Sequence, residues 1–109
     1  MPRINYIWHG FPAHFVMRDQ CRFHLTTSVG KNVVSTIGDC RLHDGTTIEI
    51  GSGRKYETMV FRITGHCPCG CGLPEIGDQL DSAGYNNPKD ATAGHMKMCF
   101  EYAKPKHQK

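Results

Sequence analysis

The sequence predicts an α+β fold, in which one C-terminal helix packs on an antiparallel sheet of about four to five strands. Before residue 65, apolar and polar side chains alternate along several short segments, as they do in strands with one buried face. A capped helical pattern begins near residue 87, and a Cys-rich loop is expected between the last strand and this helix. We expect residues 1–103 to form a single domain, because 109 residues allow one compact core.

Strands are expected at residues 22–29, 32–37, 46–50 and 56–64. Gly30-Lys31 has the length and composition of a two-residue hairpin turn between the first two strands. Segment 56–64 is the clearest strand, since Met59, Phe61 and Ile63 share one face. An aromatic-rich stretch at 4–16 is expected to add an edge strand.

The helix is predicted from its end signals. Asn87 is suited to the N-cap and Pro88 to the first helical position, and Pro105 stops the helix after about Ala103. A buried stripe at helical spacing is expected to pack on the sheet, formed by Ala91, His95, Met98 and Tyr102 with Cys99 beside them.

Composition and charge exclude several classes of protein. Hydrophobic residues make up 39% of the chain and charged residues 21%, which is typical of a folded domain. With no long apolar run and no secretory signal, we expect a cytoplasmic protein that does not enter membranes. The net charge of +3 comes from three lysines in a basic C-terminal tail at 104–109, so the body is neutral and ill-suited to wrapping a duplex.

Six cysteines in a chain without a secretory signal favour metal binding over disulfides. The thiols of a Gly-rich loop and a His/Cys pair one helical turn apart are expected to hold one structural zinc ion, with His66 as a substitute ligand. The candidate ligands are Cys67, Cys69, Cys71, His95 and Cys99.

Three alternatives to that zinc site remain open from the residues alone. In the first, His95 and Cys99 are part of the core, and the loop thiols are free or oxidised. A second metal site would combine Cys21 and His24 with Cys40 or His43, although buried free cysteines are common beside strands. A cysteine nucleophile with a histidine base would use Cys99 and His95.

The N-terminal aromatic residues form a separate candidate feature, namely Tyr6, Trp8, Phe11 and Phe15. We expect them in the core, because a domain this small needs several aromatic side chains inside. The alternative is an exposed recognition patch.

Three short motifs follow one another along the chain: VST at 34–36, YETMVF at 56–61 and AGH at 93–95. This order resembles a widespread set of small phage and prophage proteins of unknown function, over residues 33–102. The resemblance implies a bacteriophage source and cytoplasmic expression in a bacterial host, and it brings no assigned activity. Those relatives usually lack the Cys-rich loop, which leaves His95 a metal-free role in hydrogen bonding to the strand that carries Glu57.

The favoured function is a small non-enzymatic phage accessory protein that binds a host protein, with inhibition of a defence system such as CRISPR as one form of that activity. The first alternative is a zinc-stabilised nucleic-acid-binding module that uses the basic tail with Arg54, Lys55 or Arg62. The second is a metal- or cysteine-dependent enzyme. Exposed edge strands also make a homodimer plausible.

Overall fold

A computed structural model describes residues 6–8, 21–41, 44–46, 53–66 and 74–109. It confirms the α+β class, with one antiparallel sheet and one C-terminal helix. The five strands pair with their sequence neighbours in the order β1-β2-β3-β4-β5. They are β1 (Tyr6–Trp8), β2 (Cys21–Val29), β3 (Asn32–Cys40), β4 (Tyr56–His66) and β5 (Pro74–Tyr85).

The predicted β2–β3 hairpin is confirmed, including its turn. Val29 pairs with Asn32, which leaves Gly30 and Lys31 as the two turn residues. Gly30 has a φ of 60°, a conformation that glycine adopts without steric cost. The turn chemistry and the alternation of side chains therefore set the register of this hairpin.

The loop expected directly before the helix is largely a strand, β5. The structure instead has a 12-residue strand, Pro74–Tyr85, between the Cys-rich segment and the helix. Residues 75–82 of this strand are exposed, and two glycines and two aspartates give it the composition of a turn. An edge strand tolerates such residues because only β4 pairs with it among the described strands.

Helix α1 (Pro88–Tyr102) begins and ends where the sequence predicts. The Asn87 Oδ1 accepts a hydrogen bond from the Asp90 backbone N–H at 2.8 Å, and Ala103 is the C-cap. Its buried face is close to the predicted stripe and comprises Ala91, Gly94, His95, Cys99 and Tyr102. This face packs on the core residues Val29, Val34 and Val60.

Residues 104–109, predicted as a basic tail, lie against the β2–β3 turn. After the 3-10 helix η1 (Pro105–His107), the Gln108 Oε1 accepts the Lys31 backbone N–H at 2.8 Å. The Gln108 Nε2 donates to the Val29 and Tyr102 carbonyls, at 3.1 and 2.6 Å. The end of the described chain is therefore fixed to the β2–β3 turn by hydrogen bonds and is not a free arm.

Two expectations about individual residues are wrong. The Tyr6 side chain is 49% exposed and not in the core, because it lies on edge strand β1. Cys40 takes part in a disulfide bond, so it is neither a free thiol nor a thiolate ligand of the alternative metal site. The backbone register places Cys21 opposite Cys40.

Several expectations fall on residues outside the described ranges. These are the strand at 46–50 beyond Thr46, the aromatic residues Phe11 and Phe15, and the loop cysteines Cys67, Cys69 and Cys71. No helix among the described residues is long and apolar enough to span a membrane.

Candidate functional site

A polar cluster lies buried between α1 and the sheet, centred on His95. The His95 side chain is 1% exposed. Its Nε2 lies 2.9 Å from Thr27 Oγ1 on β2, and its Nδ1 lies 2.8 Å from Thr36 Oγ1 on β3. Both ring nitrogens are therefore within hydrogen-bond distance of a threonine hydroxyl.

The chain of hydrogen bonds continues at both ends. Thr36 Oγ1 is 2.6 Å from Thr58 Oγ1 on β4, and the Cys99 thiol is hydrogen-bonded to the Thr27 side chain. We name these five residues the histidine–threonine chain. It links three strands to the helix through side chains that are all buried.

A neutral imidazole satisfies this chain in either tautomer. With the proton on Nδ1, His95 donates to Thr36, which donates to Thr58, while Thr27 donates to Nε2. With the proton on Nε2, every one of these bonds reverses its direction. The arrangement therefore satisfies both ring nitrogens of the uncharged histidine in either tautomer, whereas an imidazolium would place a charge beside two neutral hydroxyls.

Burial sets the protonation of the two ionisable members. Desolvation lowers the pKa of His95 from 6.5 to about 4, because the charged imidazolium is disfavoured away from water. Desolvation also raises the pKa of the Cys99 thiol to about 11, and the Thr27 hydrogen bond opposes this only in part. At neutral pH both groups are uncharged.

Two of the five predicted zinc ligands, His95 and Cys99, lie together on the buried face of α1. Zinc binding here would need a thiolate and a ring nitrogen released from a threonine, since both His95 nitrogens are hydrogen-bonded. Within the described ranges no group of three or more His, Cys, Asp or Glu side chains is placed to hold a metal ion. The zinc site stays a prediction, because its three loop ligands lie outside those ranges.

The histidine–threonine chain ends, at Thr27 and Cys99, in a pocket beside β1. Thr27 and Cys99 form its inner part, and the side chains of Tyr6, Met96 and Phe100 line the rest. The pocket has a volume of about 310 Å³. The rings of Tyr6 and Phe100 meet edge to face with centroids 6.4 Å apart, a favourable aromatic geometry.

Protein-family models, curated proteins and solved structures give no match to this chain.

The large side chains that line this pocket are unusually open to solvent. Tyr6 is 49% exposed, Met96 48% and Phe100 61%. We name these three residues the β1/α1 surface. Ile7 is also 54% exposed, and the strand alternation places it on the other face of β1.

The cations proposed for nucleic-acid binding are in part already used within the fold. Arg62 donates to the Asn32 side chain at 3.1 Å, to the His107 carbonyl at 2.9 Å and to the Lys109 carbonyl. Lys104 forms an ion pair with Glu101, in which the Nζ–Oε1 distance is 2.9 Å. Arg62 thus holds the C-terminal residues, and its guanidinium is not simply presented to solvent.

Helical spacing in the sequence points to His95 and Cys99 but not to the threonines that are hydrogen-bonded to them. Thr36 and Thr58 face each other in the β3–β4 register, and Thr27 lies on the neighbouring strand. One signal was available in the sequence, because these threonines occupy core-facing positions of strands that otherwise carry valines such as Val34 and Val60. Most buried hydroxyls are hydrogen-bonded, and the helical histidine is the partner of Thr27 and Thr36.

Proposed function

We propose that this chain is a small non-enzymatic binding protein and that it engages a protein partner through the β1/α1 surface. The observation that carries this proposal is the gathering of three large, half-exposed side chains, Tyr6, Met96 and Phe100, around one apolar pocket. Scattered exposed apolar residues are ordinary, whereas a contiguous group of them marks interaction sites.

The composition of the surface is that of a protein interface. Tyrosine, phenylalanine and methionine are enriched at the centres of such interfaces, and lysine and glutamate are depleted there. A pocket of about 310 Å³ accommodates one bulky apolar side chain of a partner. Its inner end offers the Thr27 hydroxyl, which the two His95 tautomers allow to act as donor or acceptor.

The chemistry of Cys99 and His95 supports binding over catalysis. A thiol that is 1% exposed and has a pKa of about 11 contains little of the nucleophilic thiolate at neutral pH. A histidine whose pKa is about 4 and whose nitrogens are both hydrogen-bonded is a weak base at neutral pH.

The kind of partner follows from the resemblance to phage and prophage proteins. On that basis the partner is a protein of the bacterial host, for example a component of a defence system. A small protein suffices for such inhibition, because a stable interface covers only about 800 Å² on each side. The nucleic-acid alternative is weaker, since Arg62 and Lys104 are engaged within the fold.

The experiment is an affinity capture from nuclease-treated bacterial lysate with three forms of the tagged chain. They are the unchanged chain, Phe100→Ser on the β1/α1 surface, and Leu80→Ser as the control. Leu80 is also a large exposed side chain, at 43%, but it lies on β5. Circular dichroism verifies that all three are folded.

We expect one host protein to be retained by the unchanged chain and by Leu80→Ser, and to be lost with Phe100→Ser. Equal retention by all three forms would place binding elsewhere on the molecule. If the nuclease-treated lysate yields no protein, and an untreated lysate yields nucleic acid that raised salt removes, the nucleic-acid alternative is favoured.

A further inference from the structure

A second groove lies on the other side of α1, between this helix and β5. Its volume is about 450 Å³, within the range of small-molecule sites. We name it the α1/β5 groove. Its lining comprises Ala83, Tyr85, Gly94, Lys97, Met98, Phe100, Glu101 and Lys104.

The body of the groove is apolar. Ala83 of β5 and Met98 and Phe100 of α1 contribute aliphatic and aromatic surface, and Tyr85 contributes its ring. Gly94 lets the helix approach β5 closely, because a Cβ at this position would overlap the Tyr85 ring. The absence of a side chain at Gly94 therefore makes room for the Tyr85 ring in the lining, and Ala83 contributes only a methyl group on the β5 side of the groove.

The charged side chains of the groove are two lysines and one glutamate. The glutamate is already neutralised by its neighbours. Glu101 Oε1 lies 2.9 Å from Lys104 Nζ, and Glu101 Oε2 lies 3.7 Å from Lys106 Nζ and 2.8 Å from His107 Nε2. For Lys97 the structure gives no ion pair within the described part of the chain. The groove therefore has an excess of positive charge beside an apolar body.

We propose that the α1/β5 groove binds a small amphipathic carboxylate, a ligand with an alkyl or aryl body and a single acidic head group. The apolar body packs on Ala83, Met98 and Phe100, and the carboxylate accepts a charge-assisted hydrogen bond from Lys97, the lining lysine that is not paired with Glu101. Charge complementarity selects an anion over a neutral or cationic amphiphile of equal length.

This inference is independent of the proposed function, because it concerns a different face of α1 and a ligand that is not a protein. Phe100 lines both sites, so substitutions at Phe100 are avoided in the test.

The test is isothermal titration of the folded chain with decanoate, kept below its micelle concentration, and with decylamine as the cationic amphiphile of matched length. Lys97→Glu reverses the charge inside the groove. The control Lys89→Glu makes the same change in the first turn of α1, where the residue is exposed and does not line the groove. Ala83→Leu fills the groove without changing its charge.

We expect saturable binding of decanoate by the unchanged chain, weakened about tenfold by Lys97→Glu and retained by Lys89→Glu. Ala83→Leu is expected to weaken decanoate binding as well, because it occupies the apolar body. The proposal is overturned if decanoate does not saturate the chain, if decylamine binds equally well, or if the two lysine variants behave alike.

Discussion

We expect acidification to destabilise this fold through His95, and the size of the effect follows from the buried position of the ring. In the unfolded chain His95 takes up a proton below its ordinary pKa of 6.5, whereas in the folded chain burial delays this until about pH 4. Because the pKa of His95 is lower in the folded chain, its contribution to the free energy of unfolding is complete above pH 6.5. That contribution is lost as the pH falls towards 4.

The magnitude comes from the difference between the two pKa values. A shift from 6.5 to about 4 corresponds to about 3 kcal/mol of unfolding free energy over the whole pH window. Between pH 7.5 and pH 5 the loss amounts to about 2 kcal/mol. Burial also lowers the pKa of His24, which lies on the opposite face of the sheet, so the unchanged chain alone does not isolate His95.

The assay is urea unfolding at pH 7.5 and pH 5 for the unchanged chain, His95→Gln and Val34→Ala. Glutamine does not titrate and keeps a donor NH2 group and an acceptor oxygen, whereas Val34→Ala removes core packing and leaves His95 intact. We expect His95→Gln to lose about 2 kcal/mol less on acidification than the other two forms. Equal losses in all three would refute the assignment of this pH dependence to His95.

Three further predictions concern single contacts. Thr36→Val is expected to destabilise the chain by about 2 kcal/mol in urea unfolding, because it removes a hydrogen-bond partner from buried His95 and Thr58. Thr26→Val is the control and should be neutral or stabilising, since the buried Thr26 Oγ1 has no hydrogen-bond partner among the described residues. Gln108→Ala should lower the melting temperature, because it removes the contacts to the β2–β3 turn, and an unchanged melting temperature would contradict this account of the C-terminal residues. Cys99 should resist iodoacetamide in the folded chain and react after denaturation, as measured by mass spectrometry of its peptide; rapid labelling without denaturant would disprove the buried neutral thiol.

Local signals in the sequence were sufficient for the elements whose cause is local. The two-residue turn at Gly30, the alternation in β2 and β3, and the Asn87 cap each depend on residues within a few positions of one another. The helical spacing of His95 and Cys99 likewise predicted that both side chains share one face of α1. These features are therefore read directly from the chain.

The remaining features depend on residues that are distant in sequence. Strand β5 is held by pairing with β4 and carries few side chains that favour strands, so its own composition resembles a loop. His95 meets Thr27 across 68 positions and Thr36 across 59, and only the register of three strands brings these hydroxyls under the helix. Tyr6 was predicted to be buried, yet its position on an edge strand leaves half of it exposed.

The sequence by itself thus determined the fold class, the helix with its caps and the hairpin that α1 packs on. The tertiary structure decided that the histidine is a neutral member of a buried hydrogen-bond chain, and that the β1/α1 surface and the α1/β5 groove flank one helix. The physical reason is that periodicity and capping act over a few residues, whereas burial, and with it the pKa of a group, depends on what distant strands place around it.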